Sequence, residues 1–271
     1  MHFKLTLTYD GTPYNGWQIQ PNLPTVQGTL ADAIHHITGE TILPQGSGRT
    51  DTGVHALGQV ASFSLTTLIP AANLHRALNN ALPPSIRVFS VEEVPESFHA
   101  RHSALRKTYE YRILPRGILC SPFLASFVWP SRYRLSFDVL QQVAAAVLGT
   151  YDFTSFAATD PDQSTRNAAS EDEDPEDSGD PTHLNPPKHI GNTRTIHHSA
   201  WQRREDLFVY RVTGSGFLHH MVRNLVGTFV ECAANRRSPE SIPEILAARN
   251  RSAAGFTAPA RGLYLVEVEY K

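Results

Sequence analysis

Apolar and polar residues alternate through 2–9, which puts Phe3, Leu5, Leu7 and Tyr9 on one face before Asp10-Gly11. A period of two over this length predicts a half-buried strand ended by a turn. The period then changes. Val26, Leu30, Ala33, Ile34 and Ile37 recur at helical spacing, after Thr25, which suits an N-cap, and before Gly39, which suits a helix stop. A glycine-rich loop follows, then a strand at 59–65, a helix at 71–82 and a strand at 86–94. A second, similar set begins near Leu105. Residues 107–114 alternate as a strand, with Tyr109, Tyr111 and Ile113 on one face. Ser136 caps a helix that turns Phe137, Leu140, Val143, Ala144 and Val147 inward, and Gly149 stops it. Residues 193–203 and 207–213 read as a hairpin turning at Glu205-Asp206. A long helix is predicted at 216–234, burying Phe217, Met221, Leu225 and Phe229. A shorter helix follows at 239–248, and a last strand at 263–270.

This order predicts an α+β fold: two α/β halves with mainly antiparallel mixed sheets flanked by helices, and a cleft between them. At 271 residues the chain is long enough for two domains of ordinary size. The expected division is 1–104 and 105–271. No sequence repeat relates the halves. Residues 158–192 break the pattern. They are rich in Pro, Asp, Glu, Ser, Asn and Gly and carry almost no large apolar side chain. Such a segment buries too little to offset its ordering entropy, so a mobile acidic surface insertion is expected.

Charge changes the picture once it is divided along the chain. The formal net charge is −2, but the run EDEDPEDSGD at 171–180 holds seven acids and no base. Without it the chain would stand at +5, and 20 of its 24 cationic side chains are Arg. Arg suits phosphate because its planar fork donates in pairs. No apolar run approaches the roughly 20 residues that span a bilayer, and MHFKLTLTYDG does not read as a signal peptide. The two cysteines, Cys120 and Cys232, have no CxxC spacing and read as reduced core thiols of a cytoplasmic protein.

The stretch with the most chemistry is GSGRTDTGVHA, 46–56. Three readings compete for it. A phosphate loop would use its glycines to bring backbone N–H groups to an anion. However, Gly48 is followed by Arg49-Thr50 rather than Lys-Ser/Thr, and strand rather than helix follows. An aspartic-protease half-site would use Asp51-Thr52-Gly53, but that dyad shares a proton between two carboxylates on an apolar approach. Here the approach is polar and cationic. The third reading is a nucleophilic or basic Asp51 kept charged beside Arg49 and hydrogen-bonded by its loop.

The loop does not stand alone. YDGTPYNGWQIQPNLPTVQGTL (9–30), GSGRTDTGVHALGQVASF (46–63) and LNNALPPSIRVFSVEEVPESFHARHSA (78–104) resemble the tRNA pseudouridine synthase A family. So do KTYEYRI (107–113), GSGFLHHMVRNLVGT (214–228) and PARGLYLVEVEY (259–270). The likeness covers nearly the whole chain in the family's motif order, and GRTDxGVHA is a specific signature. The acidic stretch before Thr193 looks longer than the family carries. The resemblance implies the pseudouridine synthase fold, a homodimer, no cofactor and a basic cleft. It also implies isomerisation of uridine at nucleotides 38, 39 and 40 of the tRNA anticodon arm.

By the same resemblance, Asp51 aligns with the catalytic carboxylate and Arg49 with the arginine that helps hold the flipped nucleotide. Tyr109 aligns with the tyrosine that stacks on the target base, and Arg223 with the arginine that pairs with the carboxylate. Leu263 aligns with an apolar residue beside it. A non-catalytic tRNA-binding or RNA-chaperone protein is the alternative, using the same basic surface. The thirteen histidines include His35-His36, His197-His198 and His219-His220. Neighbours on a helix or strand point apart, so these pairs read as surface or RNA-facing, and no metal is expected. His55 is expected to hold the shape of its loop and is given no chemistry.

Overall fold

The computed structural model describes residues 1–158 and 191–271, so most of the predicted acidic insertion lies outside the described residues. In the first half, strands β1 (His2–Tyr9), β2 (Gln45–Gly46), β3 (His55–Ser64) and β4 (Ile86–Glu93) go with helices α1 (Val26–Thr38) and α2 (Ala71–Ala81). In the second half, β5 (Arg106–Leu114), β6 (Trp129–Pro130), β7 (Gly149–Asp152), β8 (Thr193–Arg204), β9 (Leu207–Gly214) and β10 (Leu263–Glu269) go with three helices. These are α3 (Phe137–Ala145), α4 (Met221–Ala233) and α5 (Ile242–Ala248). Among the described residues no helix is long and apolar enough to cross a membrane.

One sheet runs through both halves in the order β4-β1-β3-β10-β5-β9-β8-β7, with β2 beside β3 and β6 beside β5. Pairing is antiparallel except between β3 and β10 and between β5 and β6. The C-terminal strand is therefore central. Tyr264 and Leu265 of β10 lie opposite His55 and Ala56 of β3, while Leu263 lies opposite Tyr111 of β5. This brings the signature loop, β5 and the chain end to one line across the molecule.

The predicted stripes form the core. Phe3, Leu5 and Leu7 of β1 are fully buried, as are Val26, Leu30 and Ile34 of α1 and Leu140 and Val143 of α3. Each such side chain removes apolar surface worth about 1.5–3 kcal/mol. Thr25 caps α1 by accepting from Gly28 N at 3.2 Å, and Gly39 ends it at φ 76°. Ser136 caps α3, and Glu205, at φ 50°, turns the β8–β9 hairpin.

Three boundaries differ from the sequence reading. The helix expected from 216 begins at Met221, because His220 adopts φ 58°, a left-handed conformation that no α-helix can pass through. Strand β3 begins at His55 rather than residue 59, because β10, more than 200 residues away in sequence, pairs with its start. The 239–248 helix opens with a 3-10 turn, Pro239–Ser241, before α5.

Candidate active site

The loop between β2 and β3 is held from two sides. Toward β3, Ser47 N donates to Val60 O at 2.7 Å, Ser47 Oγ to Gln59 Oε1 at 2.7 Å, and Gln59 Nε2 to Gly48 O at 2.9 Å. Toward the loop after β1, Trp17 N donates to Thr50 O at 3.0 Å and Gly53 N to Tyr14 O at 3.3 Å. The hydroxyls of Tyr9 and Thr50 share a 2.8 Å hydrogen bond. Gly16 makes this closure possible: its φ is 84°, and a Cβ there would lie 2.5 Å from Thr50 O. Val54 N donates to Asp51 O at 3.0 Å, closing the turn that presents the Asp51 side chain.

His55 completes the support. Its Nδ1 accepts from Gly11 N at 3.0 Å, and its Nε2–H donates to Ser126 O at 3.0 Å. This pattern fixes a neutral tautomer. The ring stacks on Tyr264 with centroids 4.8 Å apart. Burial lowers the His55 pKa against the pull of Asp10. The expected shape-holding role is the one its contacts describe.

Asp51 faces the first turn of α4. Arg223 Nη1 donates to Asp51 Oδ2 at 2.9 Å, while Arg223 Nε donates to Ala258 O at 2.8 Å. The guanidinium is thus clamped between the carboxylate and a backbone carbonyl, which fixes its orientation. The side chains of Asp51 and Arg223 are only 21% and 15% exposed, so water screens the pair weakly.

Two residues that the sequence reading set aside also meet Asp51. His219 Nε2 lies 3.5 Å from Oδ1, and His220 Nε2 lies 3.4 Å from Oδ2. Their ring centroids are 3.9 Å apart. The expectation that adjacent histidines point apart holds on a helix or strand, but these two sit in the turn before α4, where the left-handed His220 swings both rings the same way. The signal that could have found them was the run GSGFLHH, whose glycines precede the helix start. Burial lowers the His220 pKa, with the Asp51 charge opposing and Arg223 and His219 assisting. Asp51, His219 and His220 each offer one ligand atom within 4.8 Å of the others, so the argument against a metal at this pair does not hold. The Arg223 guanidinium already occupies the cationic position beside Oδ2.

A cleft of about 1040 Å³ opens over Asp51, and Arg49, Tyr109, Arg223 and Leu263 line it as well. All five predicted site residues therefore share one cavity. Arg49 is exposed and lies on the same loop as Asp51. Tyr109 is buried on β5, edge-on to Phe217 at 5.0 Å between centroids. Phe217 was expected inside a helix, but in the turn before α4 it lines the cleft instead. Burial, with Tyr9 and Asp51 adding to it, pushes the Tyr109 phenol well above its ordinary range. At neutral pH it is a hydroxyl rather than a resident phenolate. Among the described residues the cleft is lined by six Arg and Lys side chains and a single acid, Asp51.

Comparison with known proteins agrees with this architecture. The tRNA pseudouridine synthase family model matches residues 6–103 and 182–271. A tRNA pseudouridine synthase A of Solibacter usitatus (strain Ellin6076) is 42% identical over 268 residues, covering 98% of each chain. That of Moorella thermoacetica (strain ATCC 39073 / JCM 9320) is 41% identical over 269 residues, again 98% of each. A Halalkalibacterium halodurans protein of the same name is 41% identical over 260 residues, 96% of this chain and 89% of its own. The signature loop and the arginine helix fall inside the residues that the family model matches, the tyrosine strand lies between its two segments, and the chain belongs to the tRNA pseudouridine synthase family.

Proposed function

We propose that this chain is an isomerase that converts uridine to pseudouridine at nucleotides 38, 39 and 40 of the tRNA anticodon arm, with Asp51 as the catalytic carboxylate. The observation that carries the reading is Asp51 itself: one carboxylate, ion-paired to Arg223 at 2.9 Å, in a cleft whose other charged side chains, among the described residues, are all cationic. A surface that only held RNA would gain nothing from an acid facing phosphates.

The reaction breaks the N1–C1′ bond, rotates the uracil and joins C5 to C1′. The C5 hydrogen leaves as a proton and N1 gains one, so no oxidant, reductant or cofactor is consumed. A charged Asp51 supplies the electron pair, as nucleophile or as base. Arg223 keeps that carboxylate oriented. The target uridine starts stacked in a helix and must be extruded, at a cost of a few kcal/mol. Stacking on the Tyr109–Phe217 wall offsets that by about 1–3 kcal/mol. The protonated Tyr109 acts there as a platform and donor, and Arg49 at the rim binds the extruded nucleotide. Leu263 closes the apolar side. The family resemblance further supports a homodimer working in the cytoplasm without a resident metal. Light scattering at micromolar concentration should give twice the 30.0 kDa chain mass, and a clean monomer would contradict this.

The deciding experiment is tritium release from tRNA carrying [5-³H]uridine. Release by the wild type and none by a folded, tRNA-binding Asp51→Ala variant supports both reaction and residue. Binding without release by either protein would favour the non-catalytic RNA-binding alternative.

A further inference from the structure

Lys107 is a cation that the proposed reaction does not use. It stands on β5 two residues before Tyr109, so both side chains leave the same face of the strand, about 7 Å apart. Both line the cleft. Lys107 Nζ donates to Ser47 O of the Asp51 loop at 2.5 Å. Gly48 leaves the room for this: a Cβ there would lie 2.9 Å from Nζ. An ammonium has three donors, and one is spent on Ser47. Among the described residues no carboxylate lies within ion-pair distance of Nζ.

Other cations stand near it. Arg101, from the loop after β4, and Arg194, from β8, line the same cleft and act on Lys107 through their charge. Arg194 is held by its Nη1 bonds to Gly191 O at 2.9 Å and Thr193 O at 2.7 Å. Burial first, and these two guanidinium charges second, lower the Lys107 pKa to about 8. Lys107 thus shares one wall of the cleft with two other cations, and its own burial there carries a cost in desolvation and repulsion that a bound phosphate would relieve.

We propose that Lys107, Arg101 and Arg194 form a seat for one backbone phosphate of the RNA, adjoining the nucleotide that stacks on Tyr109. The proposal rests on the reading of the cleft as an RNA site and adds to it a fixed anchor. The seat sets the register of the strand along the cleft, and Tyr109, two residues on, then receives the base. Because Lys107 also holds the Ser47 carbonyl, a seated phosphate is tied directly to the loop that carries Asp51.

The test pairs protein and RNA changes. Full tRNA is prepared with a single neutral methylphosphonate linkage, moved one position at a time across nucleotides 37–41, and binding is measured without reference to turnover. With wild-type protein, one linkage should weaken binding roughly 10-fold or more, the loss of one charged hydrogen bond. Lys107→Met should weaken binding of unmodified tRNA by a similar factor and reduce the salt slope by about one. The two changes together should be no worse than either alone, and Lys107→Arg should restore most of the affinity. The loss should fall on Kd and KM far more than on kcat.

Full additivity at every linkage would overturn the seat. So would a fall in kcat with unchanged affinity, which would make Lys107 a clamp on the loop and nothing more. Should Lys107→Met fail to fold, Arg194→Gln at the rim runs the same cycle. Binding is read independently of chemistry. A wild type that binds with this pattern but releases no tritium would therefore sink the reaction and leave the seat standing.

Discussion

A single carboxylate surrounded by Arg223, His219 and His220 is a question of which contact matters. Arg223 makes the shortest, 2.9 Å, and the imidazoles stand at 3.4 and 3.5 Å. Coulomb attraction grows as separation and exposure fall, so the guanidinium dominates. Arg223→Met should therefore leave a weakly solvated Asp51 without its main partner, lowering stability by about 1–3 kcal/mol and turnover with it. In the Asp51→Ala background the same substitution should cost markedly less stability. Urea unfolding of the four proteins measures the coupling, and purely additive losses would mean that the ion pair contributes nothing. The imidazoles answer to a different test. His220 carries a left-handed backbone as well as a ring, so His220→Gly removes the ring while easing the backbone. Stability should stay within about 1 kcal/mol of wild type, and a loss of turnover would then belong to the imidazole alone.

The elements around the site were legible where the pattern is local and obscure where it is not. The stripes of β1 and α1, the Thr25 cap and the Tyr109 face of β5 all lie within a dozen residues of what defines them. The start of β3 is set by β10 at the far end of the chain, and no window of sequence contains both. The start of α4 is set by one left-handed residue that is not glycine, which propensity does not flag. That one boundary hid His219, His220 and Phe217, since a helix drawn through 216 sends their side chains in three directions. Asp51 was a candidate from its own loop, whereas Arg223, Tyr109 and Leu263 became candidates through the resemblance, as periodicity alone reads them as ordinary helix or strand residues. Gly16 shows how tightly the elements position the loop. Gly16→Ala meets both an unfavourable φ and the Thr50 carbonyl 2.5 Å away. It should cost at least about 1–3 kcal/mol in denaturant unfolding and reduce tritium release by displacing Asp51. Unchanged turnover would mean that the loop tolerates movement.

At the scale of the molecule, pH joins these local facts. Burial lowers the pKa of His55, His99, His197 and His220. Above about pH 6.5, the unperturbed value, both folded and unfolded chains hold these rings neutral, and they add no slope. As pH falls through 6.5 the unfolded chain takes up protons that the folded chain refuses, so stability falls until the lowered folded values are reached. Glu40 loses its contribution later: Thr66 and Thr67 hold its carboxylate down to about 2, so that contribution is present above the ordinary carboxylate range and disappears as pH falls toward 2. On the alkaline side Lys107 acts in the opposite sense to the buried tyrosines. Its pKa near 8 makes stability rise with pH between about 8 and the ordinary lysine value. Tyr9, raised to about 12, makes stability fall once unfolded tyrosines begin to ionise near 10. The urea midpoint should therefore drop between pH 7 and 5. His55→Gln keeps an acceptor for Gly11 N and a donor for Ser126 O but has nothing to titrate. It should lose less stability over that interval than the wild type, whatever its midpoint at pH 7. A parallel pair of curves would show that the proton excluded on folding is not the one at His55, and would shift the acid sensitivity to His99, His197 and His220.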